Sequence, residues 1–144
     1  NNFAGITSYG IITTNTPNWT KIDLESVAPQ EYYMYDSFAF RPLEWFQKEK
    51  ESNEKKGLDK ETQSSYNSIK RPSGNAAVGS NFGGLAVYKS KIIKDFRYKS
   101  QQYDDDSVQS DSEHVPFHRD MFNSGKKISI NNRSLVSYSP HRYT

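Results

Sequence analysis

The chain of 144 residues has no cysteine. That excludes a disulfide-stapled scaffold and a thiolate metal site, and it leaves the redox compartment open. Aliphatic residues are scarce. Ile, Leu, Val and Phe together number 28, just under the roughly 20% level at which composition shades into disorder. Mean hydropathy is −0.92, and no run approaches the roughly 18 apolar residues of a membrane-spanning helix. Net charge is only +2, too small for self-repulsion to extend the chain. The opening NNFAGITSYG carries neither a basic n-region nor an Arg-rich amphipathic pattern, so no targeting signal is expected there. The sequons at Asn18 and Asn132 are short enough to arise by chance.

What the chain does hold is aromatic residues, 14% of the total. A polar chain with many aromatics suggests anchors without a core. It buries too little apolar surface to offset about 1–2 kcal/mol of backbone entropy per ordered residue, while aromatic side chains give large contact areas at low rotamer cost. The expected fold class is therefore a mostly irregular, extended chain with one or two short α-helices, no independent globular core, and order supplied by partners. Isolated, such a chain should be largely disordered by circular dichroism.

Charge falls in blocks: −3 over residues 1–40, +6 over 41–103, −5 over 104–116 and +4 over 117–144. With the local patterns, this divides the chain into an extended N-terminal arm (1–34), a helical anchor segment (35–58), a Gly-rich loop (59–84), a basic-aromatic segment (85–103), an acidic linker (104–116) and an extended C-terminal tail (117–144). In the arm, the run Gly10–Thr14 is strand-like but has no evident neighbour, and Pro17 and Pro29 act as breakers. The clearest helix is expected over 42–56. Pro42 suits its first turn, and Glu44 favours the macrodipole. Glu44/Lys48 and Glu51/Lys55 form i,i+4 pairs, and Gly57 stands ready as the C′ residue. Leu43 and Phe46 give it a short apolar face, followed by charge. In 85–99, Leu85, Tyr88, Ile92 and Phe96 recur at helical spacing, although the β-branched residues equally allow an extended segment.

The chemical motifs are incomplete. RPSGNAAVGSNFGG (71–84) has four glycines but no Lys at the P-loop position and no GxGxxG spacing, so it should not bind a nucleotide. Its glycines instead permit positive φ or a close backbone approach. His114 and His118 have the i,i+4 spacing of a zinc pair, but Pro116 between them should break the helix and no third ligand is suitably spaced. Asp104–Asp106 lacks the Gly and the terminal Glu of a calcium loop. No G-x-S-x-G elbow accompanies the serines. An enzyme, a cofactor and a metal are not expected. Lys91, Lys94, Arg97 and Lys99 among aromatics raise nucleic-acid binding, which the modest basic excess and the adjoining acidic block disfavour.

Three stretches resemble a family of small cilia- and flagella-associated proteins, the microtubule inner proteins that line axonemal doublet microtubules. They are YDSFAFRPLEWFQKEKESNEKKGL (35–58), RPSGNAAVGSNFG (71–83) and, more weakly, HVPFHRDMF (114–122). The chain departs from the family's pattern at Pro42, in a shorter charged helix and in a longer glycine spacer. The resemblance implies a non-catalytic structural protein of the cilium or flagellum axoneme. It would bind α/β-tubulin and neighbouring microtubule inner proteins and stabilise the lattice, with no small-molecule substrate and no membrane. Partner contacts would then fall on Tyr35, Asp36, Phe38, Phe40, Leu43, Trp45, Phe46, Arg71, Pro72, Gly74, Phe82, Tyr88, Phe117, Arg119 and Phe122. Tubulin surfaces are largely acidic and would complement the central basic block. The alternative is an extended accessory subunit of another large assembly, such as a mitochondrial complex or a ribosome.

Overall fold

A computed structural model of the chain describes residues 3–13 and 32–138. Pro17, Pro29, the sequon at Asn18 and the tail beyond Tyr138 lie outside them. Strand β1, Phe3–Thr13, reads FAGITSYGIIT. Its β-branched and aromatic residues suit a strand, and nearly every position from Ala4 to Ile11 is buried, as in a strand covered on both sides. Strand β7, Lys127–Tyr138, runs parallel to it from Phe3↔Lys127 to Ile12↔Tyr138. The register breaks between Phe3 and Gly5 and between Ser8 and Tyr9.

Short strands complete the sheet. β2 (Tyr32–Met34) and β5 (Ala86–Tyr88) pair antiparallel with one edge of β1, and β4 (Ala76–Val78) pairs antiparallel with β7. The order is β2-β1-β7-β4, with β5 beside β2 on β1. A separate two-stranded ladder joins β3 (Leu58–Asp59) to β6 (Val108–Gln109). The helices are α1 (Leu43–Ser52), α2 (Lys60–Tyr66), the single turn α3 (Ser90–Ile93) and α4 (His114–Asn123). Asp59 caps α2, its carboxylate accepting from Thr62 N–H at 2.7 Å. Phe117 and Met121 of α4 join Ile11, Met34, Phe40 and Ile128 in one buried cluster. None of these helices is long and apolar enough to cross a membrane.

The expected extended chain without a core of its own is therefore corrected to a compact mixed α/β fold with its own core. The composition misled because aliphatic residues are not the only material of this interior. Tyr9, Phe40, Phe46, Phe117 and two methionines are buried, as are Arg41, Glu49, Asp111, His118 and Arg119. Polar groups that satisfy one another can be buried without the usual penalty.

Local expectations changed with it. Part of the expected arm is the central strand, and Ile11–Thr13 find their neighbours in β2 and β7. The helix starting beside Pro42 ends at Ser52 rather than Lys56, because Asn53 (φ 53°) takes the left-handed cap position expected of Gly57. Pro116 does not break α4. It lies in the first turn, where a missing N–H leaves no intrahelical bond unmade. The segment 85–99 divides into β5 and α3, and the expected tail supplies most of α4 and all of β7.

The glycine stretch does press backbone against backbone, but its surface is β1. Gly83 has φ +67°, and a Cβ there would stand 2.1 Å from Ser8 O. Ser8 Oγ donates to Gly83 O at 2.8 Å, and Asn81 Nδ2 donates to Thr7 Oγ1 and Ser8 O at 2.7 and 2.9 Å.

Candidate functional site

Two polar clusters lie inside the fold. In the first, Arg119 of α4 reaches between α1 and the 103–111 segment. Its Nε and Nη2 donate to the two carboxylate oxygens of Glu49 at 2.8 and 3.0 Å, and Nη1 donates to Asp111 Oδ2 at 3.0 Å. Tyr103 OH lies 2.9 Å from Asp111 Oδ2, and Glu49 Oε2 also accepts Lys56 N–H at 2.6 Å. The guanidinium sits 5.5 Å over the Phe46 ring. Burial alone would lower its pKa, but the Glu49 hydrogen bonds and charge, with Asp111, hold it above the usual arginine value.

Arg41 closes the other side of Asp111. It is fully buried and donates through Nη1 to Phe38 O and Phe40 O at 2.9 and 2.6 Å. Its Nη2 stands 3.7 Å from Asp111 Oδ1. Burial pulls its pKa down, and the Asp111 charge opposes that. Two cations and two carboxylates thus offset each other in a buried cluster, an arrangement that fixes geometry more surely than it adds stability.

The second cluster joins Ser80, His118 and Tyr88. Ser80 Oγ lies 2.8 Å from His118 Nδ1, and Tyr88 OH lies 2.7 Å from Nε2. Either tautomer completes the chain, one hydroxyl donating and the other accepting. Burial, followed by the proximity of His114, pushes His118 down to about 3, so the ring is neutral at physiological pH. A Ser–His contact suggests nucleophilic catalysis, but Ser80 and His118 both have no exposed surface, and the second ring nitrogen is occupied. The trio acts as a clamp joining the glycine loop, β5 and α4.

Among the described residues no group of three His, Cys, Asp or Glu is placed to hold a metal. Asp104–Asp106 is exposed, and Asp105 caps its own turn through Ser107. His114 and His118 share α4, but His114 stacks on Phe82 with ring centroids 4.3 Å apart.

The residues expected to touch partners are divided by the fold. Phe40, Phe46, Phe117 and Arg119 are buried; Phe40 meets Tyr66 edge-on, and Tyr88 meets Phe117 the same way. Phe38 and Trp45 pack half-buried against the core, and half-buried Phe122 tilts on Phe46. Leu43, Arg71 and Pro72 are half-buried and Gly74 is exposed. Tyr35 stacks on Tyr138 with centroids 4.1 Å apart. Beside it, Asp36 takes a left-handed conformation at φ 61°. These side chains form no single surface.

Sequence reasoning missed Glu49, Asp111, Ser80 and His118 as organising residues. Glu49 carried a signal, since it stands three positions after Phe46 and so shares its helix face. It missed the outer face of the sheet as well. Val87, Ile6, Ser129 and Ala77 form one row across β5, β1, β7 and β4. Val87 is 68% exposed, Ile6 45% and nearby Leu85 53%. A cleft of about 480 Å³ opens there, lined by Phe3, Ile6, Asn75, Val87, Tyr88 and Lys89. Past it, Lys89, Lys91 and Lys94 are exposed, and among the described residues none has an acidic partner within 4 Å. Lys99 differs, being paired with Asp120 at 2.8 Å. The exposed apolar patch of Ile6, Leu85 and Val87 with its basic rim, on a row whose Ser129 is buried, is the candidate site. Compared with protein families, curated proteins and solved structures, the chain matches none, so the resemblance to microtubule inner proteins gains no support there and function is read from this geometry.

Proposed function

We propose that the chain is a non-catalytic binding module, a compact structural component that docks on an acidic protein surface. The observation that carries it is the exposed pair Val87 and Ile6 beside the exposed cations Lys89, Lys91 and Lys94, which have no acidic partner within 4 Å among the described residues. Apolar contact supplies affinity in such a patch, and the lysines supply steering and register. The side chains capable of chemistry are engaged with one another inside, which supports a structural use for them.

The acidic surface named by the resemblance is the tubulin lattice of axonemal doublets. In this reading a folded module, rather than an extended thread, seats on tubulin or on a neighbouring inner protein. Co-sedimentation with polymerised tubulin tests it. The chain should pellet with the polymer at low ionic strength and be released as salt screens the rim charges. A chain that stays in the supernatant at low salt removes tubulin as the partner and turns attention to accessory roles in other assemblies, such as a mitochondrial complex or a ribosome.

A further inference from the structure

We propose that β5 is a strand-addition site, taking an extended acidic segment of a partner protein as a further strand of the sheet. The inference rests on the reading of the chain as a binding module and names the form of its ligand. It begins with the hydrogen bonds of β5. Ser8 N–H donates to Leu85 O at 2.9 Å, and Lys89 N–H donates to Ala4 O at 2.8 Å. In an antiparallel pair, residues facing the partner strand alternate with residues facing away. Positions 85, 87 and 89 therefore face β1, and the N–H and C=O groups of Ala86 and Tyr88 point outward. Among the described residues, β1 is the only strand that pairs with β5. Among the described residues, the outer edge of β5 is an unpaired row of alternating donors and acceptors, which is the complement of an extended peptide backbone.

The edge is held in place before any ligand arrives. Tyr88 points inward, its hydroxyl on His118 and its ring edge-on to Phe117. Binding to a strand already fixed avoids much of the ordering cost. Val87 points the other way, next to Ile6, over the 480 Å³ cleft. An added strand would place every second side chain beside Val87, so that strand should carry apolar residues at alternate positions.

Charge selects the occupant. Lys89 lines the cleft, Lys91 follows on α3 and Lys94 caps its end, and Asp95 is the one acid in residues 89–99. Two copies of β5 pairing edge to edge would bring these lysines together, so the rim opposes self-association. It favours glutamate or aspartate in the incoming segment. A nucleic-acid backbone fits less well, because the outward carbonyls of Ala86 and Tyr88 would face phosphate oxygens.

The test uses the full chain and a capped short peptide of alternating valine and glutamate, with binding followed by fluorescence anisotropy and by amide shifts. N-methylation of alternate peptide amides in one register should abolish binding while the other register is tolerated, since only one set of N–H groups meets β5. Val87→Asp and the double substitution Lys89→Glu/Lys91→Glu should each weaken binding by about tenfold or more, with unchanged thermal melts because these side chains are exposed. Equal tolerance of both methylation registers would overturn strand addition. So would equal competition by a single-stranded oligonucleotide, or a concentration-dependent dimer that Val87→Asp dissolves. The microtubule arm separates the two readings. If the chain pellets with polymerised tubulin and loses this in Lys89→Glu/Lys91→Glu, while the peptide registers do not differ, the binding module stands and strand addition falls. If neither the peptide nor the polymer is bound, strand addition falls and tubulin is removed as the module's partner.

Discussion

Val87 and Tyr88 are neighbours in one short strand and face opposite worlds. Tyr88 turns inward and ends in a hydrogen bond to a histidine without exposed surface. Val87 turns outward and is 68% exposed. The same contrast holds across the molecule. The inner side of the sheet gathers arginine, carboxylate, histidine and serine side chains into closed clusters. The outer side shows apolar side chains and lysines that have no acidic partner among the described residues. Chemical capability and availability are separated here, and availability is what supports the proposal that the outer face binds a partner. The reactive-looking interior sets the fold.

The contrast is broken most sharply at Arg119. Arg119→Leu leaves Glu49 and Asp111 buried without their main cation, so it should cost about 3–5 kcal/mol in urea unfolding. A charge reversal on the outer rim, Lys91→Glu, should change stability by less than about 0.5 kcal/mol. Similar small costs for both substitutions would show that the interior cluster is not the organising element described here.

Local features were legible in the sequence and long-range ones were not. The start of α1 could be read from Pro42, Leu43 and Glu44, because first-turn preferences depend on adjacent residues. Its end could not, since either Asn53 or Gly57 could take the left-handed cap and packing chose Asn53. The glycine stretch announced positive φ and close approach, both found at Gly83. It could not announce that the surface approached is β1, which lies more than half the chain away. β1 itself was hidden for the same reason, because its parallel partner β7 sits at the opposite end of the sequence. Of the candidate site, the basic character of 85–103 was visible. The apolar row was not, since Ile6, Val87 and Ala77 come together only through strand pairing. The core was underestimated because Arg41, Glu49 and Arg119 read as solvent-facing charge until each is given its partner.

The second prediction concerns acid. His118 titrates near 6.5 when unfolded and is pushed to about 3 in the fold, chiefly by burial. Between those values the unfolded chain binds a proton that the folded chain refuses, so stability falls as pH drops below about 6.5, by up to about 1.4 kcal/mol per pH unit for this group. His118→Asn should remove that contribution. It should also cost about 1–3 kcal/mol at pH 7 by unsettling Ser80 and Tyr88. Denaturant midpoints measured from pH 7 to pH 4 check this, and an unchanged slope in the variant would rule His118 out as the source.

The smallest expected effect is at Asp36, and it acts in the opposite direction. Its carboxyl is pushed up to about 6, first by burial and then by the charge of Glu113, against the lowering effect of the Ala39 amide. At pH 7 the folded chain holds Asp36 mainly as a carboxylate, in surroundings that penalise its charge relative to the unfolded chain. Asp36 therefore becomes less costly as pH falls through about 6, and the gain is complete once the unfolded group also protonates near 3.8. Asp36→Asn keeps a side chain tolerant of the left-handed backbone and removes the charge, so it should stabilise the fold by about 1 kcal/mol at pH 7. Between pH 6 and 4 the proton taken up by folded Asp36 offsets the one taken up by unfolded His118, and the two slopes nearly cancel in the native chain. The Asn variant loses the offset. It should start more stable at pH 7 and decline more steeply in acid, with the two stability curves converging near pH 4. Glu113→Gln should reproduce part of the neutral-pH gain without that full steepening, since it relaxes the Asp36 carboxyl but leaves it able to titrate.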